Sequence, residues 1–462
     1  MGLAKKLATA ACKFKYENFS DELIENAKLH VLDGIGAGMH GSTLRPLFDP
    51  LIKILRRWGG EGDSSVFGQP EGFPSQEAAF LSSVINSASA YSETHRATLA
   101  HPYAPVLTTA LAVGEEESLS GKDLLLAMVA GYEVFLRIAV AVNPSLLHRG
   151  IQTTGAIAPF GAAAVCGVLY RFNAEQMEDA ISHAANLAGS SLIEAHGAKP
   201  YFAIQVGANV KKGVLAALLA REGVVGCDTN LEGGSVHKKG FLQAFSDEFD
   251  EKPIVDGFGE RLGIEETGFA FYLAASFSRT PIDGTLTIVR DNKISVEDIE
   301  SITVKLTNTL FNFTQRNIQT ADQFAREAFY YIPFHLALVL LKGGVEHYMY
   351  TDENLGDPQI RELMERISVQ AAPELDAEYK ESRAVTTSIV ELKTKNGQTY
   401  SIKLSRWKGD PENPATKEEI QAKFRRVTSK AFAPEKAEEV IEVVNRLESV
   451  ENIRDLGRLI RG

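Results

Sequence analysis

Two segments limit what this chain can fold into more than any other. Residues 124–142 (LLLAMVAGYEVFLRIAVAV) are apolar except for Glu133 and Arg137, and residues 153–170 (TTGAIAPFGAAAVCGVLY) carry no charge. By length, each could be mistaken for a membrane span. Glu133 and Arg137 stand four apart, however, so on a helix they pair. Pro159 and the closely spaced glycines and alanines suit tight helix packing. Both segments read as helices that are apolar nearly all round and buried inside a large helical domain. No membrane span is expected.

A chain of 462 residues can enclose such a domain and still build a second one. The net charge of −12 argues against the basic surface that nucleic-acid phosphates require. An anionic substrate would need cations concentrated locally against that field. Cys12, Cys166 and Cys227 are widely spaced and form no Cys-x-x-Cys pair. They suggest neither a zinc knuckle nor a disulfide framework. The opening MGLAKKLATAACKFKYENF has no sustained apolar core, and a cytoplasmic location is expected.

The pattern is helical up to about residue 260. Ser20 can cap a helix with Asp21 and Glu22 in its first turn, and Ile24, Ala27, Val31 and Ile35 recur at helical spacing. Near residue 262 the pattern changes. Ile302, Val304 and Leu306 alternate with polar residues, and Asn396-Gly397 separates two alternating runs, as in a hairpin. After GDPENP, Thr416-x-x-Glu419 forms a capping box before renewed helix. The layout is mainly α: a helical domain from both chain ends, 1–262 and 406–462, with an α+β domain, 263–405, inserted between them.

Gly36, Gly38 and Gly41 match the dinucleotide fingerprint in form, but a helical pattern precedes them where a strand is required. Close helix packing is the simpler reading. The stretch YSETHRATLAHP, residues 91–102, concentrates polar chemistry. His95 and His101 are six apart, which on one helix puts them on different faces, and further ligands at metal spacing are lacking. No metal is expected. Pro102 disfavours helix at His101, which therefore falls near a helix start or in a loop.

ETHRATLAHP, GIQTTGAIAPFGAAAVCGVLY, VKKGVLAALLAREGVVG, VEDIESITVKL and KGDPENPATKEEIQAKF together resemble the MmgE/PrpD family, in order and spacing, from about residue 5 to residue 460. The family includes 2-methylcitrate dehydratase, cis-aconitate decarboxylase and iminodisuccinate epimerase. The resemblance implies a helical domain with a smaller α+β lid, a pocket between them and a homodimer. It further implies proton transfer beside a carboxylate on a small di- or tricarboxylic acid, with no cofactor.

The implied site is uneven. Thr94, His95, His101 and Pro102 match the family, but aspartates of its pattern become Ala90, Ser92 and Glu93. A family histidine becomes Gln152, a lid lysine Ala270, a lid histidine Arg279 and a lid tyrosine Phe334, while Tyr272 and Asp283 match. Lys199 most resembles the family lysine, with altered spacing, and His196 lies beside it. His101, Lys199 and His95 are the implied acid/base groups. Thr94, Glu93, Gln152, Arg279 and Tyr272 are the implied substrate contacts, Arg279 as a permanent carboxylate anchor. Arg96 and Arg149 are further possible anchors. A dehydratase-type lyase leads. An isomerase or epimerase is the alternative, and a non-catalytic metabolite- or partner-binding protein is the reading from another class. Each singled-out group also has a plain structural role open to it, such as a helix cap or an exposed ion pair.

Overall fold

The structure, a computed structural model, describes residues 2–45, 48–58, 60–189, 191–193, 201–315, 327–382 and 385–462. It divides into two units, Met1–Thr267 with Thr416–Gly462, and Gly268–Ala415. The junctions fall slightly later than the sequence places them. The reason is local: Trp407 Nε1 donates to the Phe269 carbonyl at 2.9 Å, and the Phe269 amide donates to Gly409 at 2.8 Å, so the stretch after 405 packs with the second unit.

In the first unit, α1 (Asp21–Ser42) starts at Ser20, whose Oγ accepts the Leu23 amide. It packs on α2 (Ser75–Ala88), and glycine makes that approach possible: a Cβ on Gly41 would lie 2.1 Å from the Ile85 carbonyl oxygen. The glycine run is thus the inside of a helix and has no phosphate-binding turn. α3 (Tyr103–Glu116), α4 (Gly121–Val142), α5 (Thr153–Leu169), α6 (Ala174–Leu187) and α7 (Tyr201–Arg221) follow. α4 and α5, the two apolar segments, are buried along almost their whole length. α4 and α7 are long and apolar enough to cross a membrane, but α4 is a core helix here. Glu133 and Arg137 pair at 2.5 Å, and Glu133 also accepts the Gly263 amide.

In the second unit, α8 (Ser276–Asn292) and α9 (Ile332–Lys342) accompany a four-stranded sheet. Its strands are β1 (Ile299–Leu306), β2 (Ile367–Ala371), β3 (Ser388–Thr394) and β4 (Thr399–Leu404), in the order β2-β1-β3-β4. β1 runs parallel to β2 and antiparallel to β3, with Val304 opposite Val390. The buried side chains Ile302, Val304 and Leu306 give β1 its alternation. β3 and β4 form the expected hairpin, and Gly397 supplies the positive φ (87°) of its turn.

The chain then returns to the first unit. α10 (Lys417–Thr428) opens with both hydrogen bonds of the Thr416/Glu419 capping box. Its Lys423 makes a fully buried ion pair with Asp33 of α1 at 2.5 Å. α11 (Pro434–Asn445) and α12 (Arg454–Ile460) complete the unit.

Candidate active site

Residues 90–101 form a tight loop between α2 and α3. Ala90 (φ 62°) and Leu99 (φ 54°) both adopt the left-handed conformation, which costs an L-residue energy that surrounding contacts must offset. At Leu99 the contacts that hold it are visible. The His95 amide donates to the Ala100 carbonyl at 2.9 Å, and the Leu99 amide returns to the His95 carbonyl at 2.8 Å. This turn folds His101 back over residue 93.

His101 stands just before α3, and its amide donates to Thr154 Oγ1 at 3.0 Å. Its ring Nδ1 lies 2.6 Å from the Glu93 carbonyl oxygen and 3.4 Å from Thr94 Oγ1. A carbonyl only accepts, so Nδ1 carries the hydrogen. In the neutral ring Nε2 then holds the lone pair, which is the form a general base requires. The ring is half-buried, while Glu93, Thr94 and His95 around it are buried.

Under the loop lies a buried polar layer. The Glu93 carboxylate accepts the Tyr103 amide and the Tyr132 hydroxyl on Oε1, both at 2.6 Å, and its Oε2 meets His30 Nδ1 at 2.5 Å. Burial, with the charges of Asp33 and Glu93, pushes the Tyr103 phenol well above its ordinary pKa. Burial and Glu93 do the same to Tyr132. Both remain protonated donors, Tyr103 to the Tyr91 carbonyl at 2.6 Å.

His95 Nδ1 meets Thr98 Oγ1 at 3.0 Å, and its Nε2 lies 3.8 Å from Glu266. Burial acts to raise the Glu266 pKa, but the hydrogen bond and charge of His95, with Arg261 and Arg96, outweigh it and leave the carboxyl lowered. Gln152 caps α5: its Oε1 accepts the Gly155 amide at 2.6 Å and lies 3.3 Å from Ser191 Oγ. Arg149 makes a surface ion pair with Asp247. Lys199 and His196 lie outside the described residues.

The remaining sequence candidates belong to the second unit and form a group of their own. Arg279 is buried, with its guanidinium carbon 5.4 Å over the Trp407 ring. The Tyr272 hydroxyl donates to Asp283 at 3.1 Å, and the Lys408 amide donates to the same carboxylate at 2.7 Å. Burial raises the Asp283 pKa, although those hydrogen bonds and the Arg279 charge oppose it. Phe334 is fully buried.

The structure therefore joins His101, His95, Thr94, Glu93 and Gln152 around the starts of α3 and α5, and it joins Arg279 and Tyr272 within the second unit. Sequence reasoning misses His30, Tyr103, Tyr132, Asp33 and Lys423. Their signal is polar residues at helical spacing on faces otherwise apolar: His30 and Asp33 beside Ala27, Val31 and Ile35, and Tyr132 within α4.

The sequence matches the MmgE/PrpD N-terminal domain over residues 5–253 and the MmgE/PrpD C-terminal domain over residues 272–449. The chain belongs to the MmgE/PrpD family. Similar proteins include human cis-aconitate decarboxylase, 24% identical over 100% of this chain and 95% of that protein. The mouse cis-aconitate decarboxylase is 25% identical over 97% of this chain and 91% of its own length. That of Aspergillus terreus is 22% identical over 99% and 96%. The family's C-terminal match runs through α10 and α11, which pack in the helical unit, so its sequence boundary and the spatial one differ here.

Proposed function

We propose that this MmgE/PrpD protein is a cofactor-independent lyase of the cytoplasm that transfers a proton on the carbon beside a carboxylate of a small di- or tricarboxylic acid. Dehydration is the leading reaction. The observation that carries this reading is the His101 ring, held by the Glu93 carbonyl as the Nδ1–H tautomer with a basic Nε2. Such a group takes a proton from a carbon acid near neutral pH and returns it to a leaving group or an adjacent carbon. His95, set between Thr98 and Glu266, is proposed as the second acid/base group. Arg279 offers a permanent cation for a carboxylate. Lys199 keeps the part the resemblance implies, and a homodimer is the proposed assembly.

Support comes from the family match and from relatives named as decarboxylases, which also act at a carbon beside a carboxylate. At 22–25% identity those names do not choose the substrate. The test is a panel of di- and tricarboxylates in deuterated water, followed by NMR. α-Hydrogen exchange with loss of water, abolished in His101→Gln, is the expected result. Carbon dioxide release would mark a decarboxylase. Exchange without net product would mark an isomerase. Saturable binding without exchange for every ligand would overturn the enzymatic reading.

A further inference from the structure

Glu93 stands where the family resemblance places an aspartate, and its surroundings give it a part other than touching substrate. Its side chain is fully buried, and both carboxylate oxygens are engaged by groups of the protein. Those groups come from three helices: His30 from α1, Tyr103 from α3 and Tyr132 from α4. The His30 ring also packs edge-on against Tyr132, centroids 5.6 Å apart, so the donors brace one another. The backbone oxygen of this same residue accepts from His101 Nδ1. One residue thus links the helical core, through its side chain, to the His101 ring, through its carbonyl.

We propose that Glu93 is a positioning residue: clamped by His30, Tyr103 and Tyr132, it aims its own carbonyl at His101 Nδ1 and so presents Nε2 as the proton acceptor. The proposal rests on the reading of His101 as the acid/base group. Its physical core is an asymmetry between two partners of the ring. The carbonyl at 2.6 Å can only accept and admits one tautomer, whereas Thr94 Oγ1 at 3.4 Å can donate or accept and admits both. When the clamp loosens and the carbonyl turns away, the hydroxyl becomes the nearer partner and the neutral ring populates both tautomers. The wrong tautomer places a hydrogen on Nε2 and cannot take a proton there.

The experiment uses the full chain with 15N-labelled histidine and long-range proton–nitrogen correlation at pH 8, with His101 assigned by the signals missing from His101→Gln. In the unaltered protein His101 is expected as the Nδ1–H form alone. Glu93→Gln and Tyr132→Phe are expected to show a second tautomer. Their kcat for hydrogen exchange should fall about ten-fold with KM unchanged, since a misaimed base costs rate without costing binding. Glu115→Gln, a buried glutamate at the other end of α3, should leave the tautomer as it is. If both Glu93→Gln and Tyr132→Phe fold and keep a pure Nδ1–H ring with unaltered kcat, the proposal is wrong. If Glu93→Gln does not fold, Tyr132→Phe decides alone. The ring measurement needs no substrate, so it judges the clamp independently. Undiminished exchange by His101→Gln would instead overturn the reading of the ring as the acid/base group.

Discussion

Two buried glutamates serve the two ends of α3, and their surroundings differ. Near its start, Glu93 is met at both oxygens by three donors from three helices. Near its end, Glu115 receives the Ser65 amide and hydroxyl on Oε2 alone, at 3.0 and 2.7 Å. Its Oε1 has no hydrogen-bond partner among the described residues, and the Arg461 guanidinium stays 4.0 Å from Oε2. Burial outweighs those partners and lifts the Glu115 pKa to about 7. Gly457 of α12 lies against this carboxyl, where a Cβ would come within 2.4 Å. At Glu93, converging donors make the buried carboxylate the anchor of a clamp, while at Glu115 burial with few donors raises the carboxyl toward neutrality.

The largest expected effect tests what the clamp is for. His101→Gln should lower the exchange rate by about 100-fold or more, the usual scale of a lost general base. A loss below about ten-fold would separate the clamp from catalysis. Next, Glu93→Leu leaves three buried donors without their acceptor and should destabilise the fold by about 3 kcal/mol or more, read by urea unfolding. A change under about 1 kcal/mol would show that the clamp gives little structure.

Glu115 should behave in the opposite sense. Because its folded pKa is raised, the native state holds the proton more tightly, so stability falls as pH rises from about 4.5 to about 7. Each ten-fold gain in proton affinity is worth about 1.4 kcal/mol, so the loss approaches ~3 kcal/mol above pH 7. Glu115→Gln, unfolded in urea at pH 5 and pH 8, should lose that dependence and gain stability at pH 8. An unaltered pH profile would remove the contrast between the two glutamates. The smallest effect concerns the loop itself. Thr154→Val removes the acceptor of the His101 amide and should cost about 1 kcal/mol, with a modest loss of rate.

Much of the architecture is legible locally. Residues 124–142 have to be a buried helix because so few charges break their surface, and they lie in α4. The Asn-Gly turn between two alternating runs could hardly be other than a hairpin, and it joins β3 to β4. The Thr416 capping box marks the return of helix, and α10 begins there. The site is legible only in part. His101 stands out because Pro102 and the polar cluster around it break the pattern. A carboxylate beside Thr-His suggests a substrate contact, yet Glu93 points inward to His30, 63 residues earlier. Gln152, in the place of a family histidine, suggests a hydrogen bond to substrate, yet its side chain caps its own helix.

By itself, the sequence determined that residues 124–142 and 153–170 are buried helices, that a hairpin turns at Asn396-Gly397, that helical patterns stand at both ends of the chain, and that polar chemistry gathers before α3. These follow from periodicity, capping and burial, which act between near neighbours along the chain. Tertiary structure alone decided that His30, Tyr103 and Tyr132 meet on one carboxylate, that this residue's carbonyl sets the His101 tautomer, and that Lys423 closes on Asp33. Those contacts join residues up to 390 positions apart. Direction in space, which side-chain type and spacing do not encode, settles which neighbours a buried polar group holds.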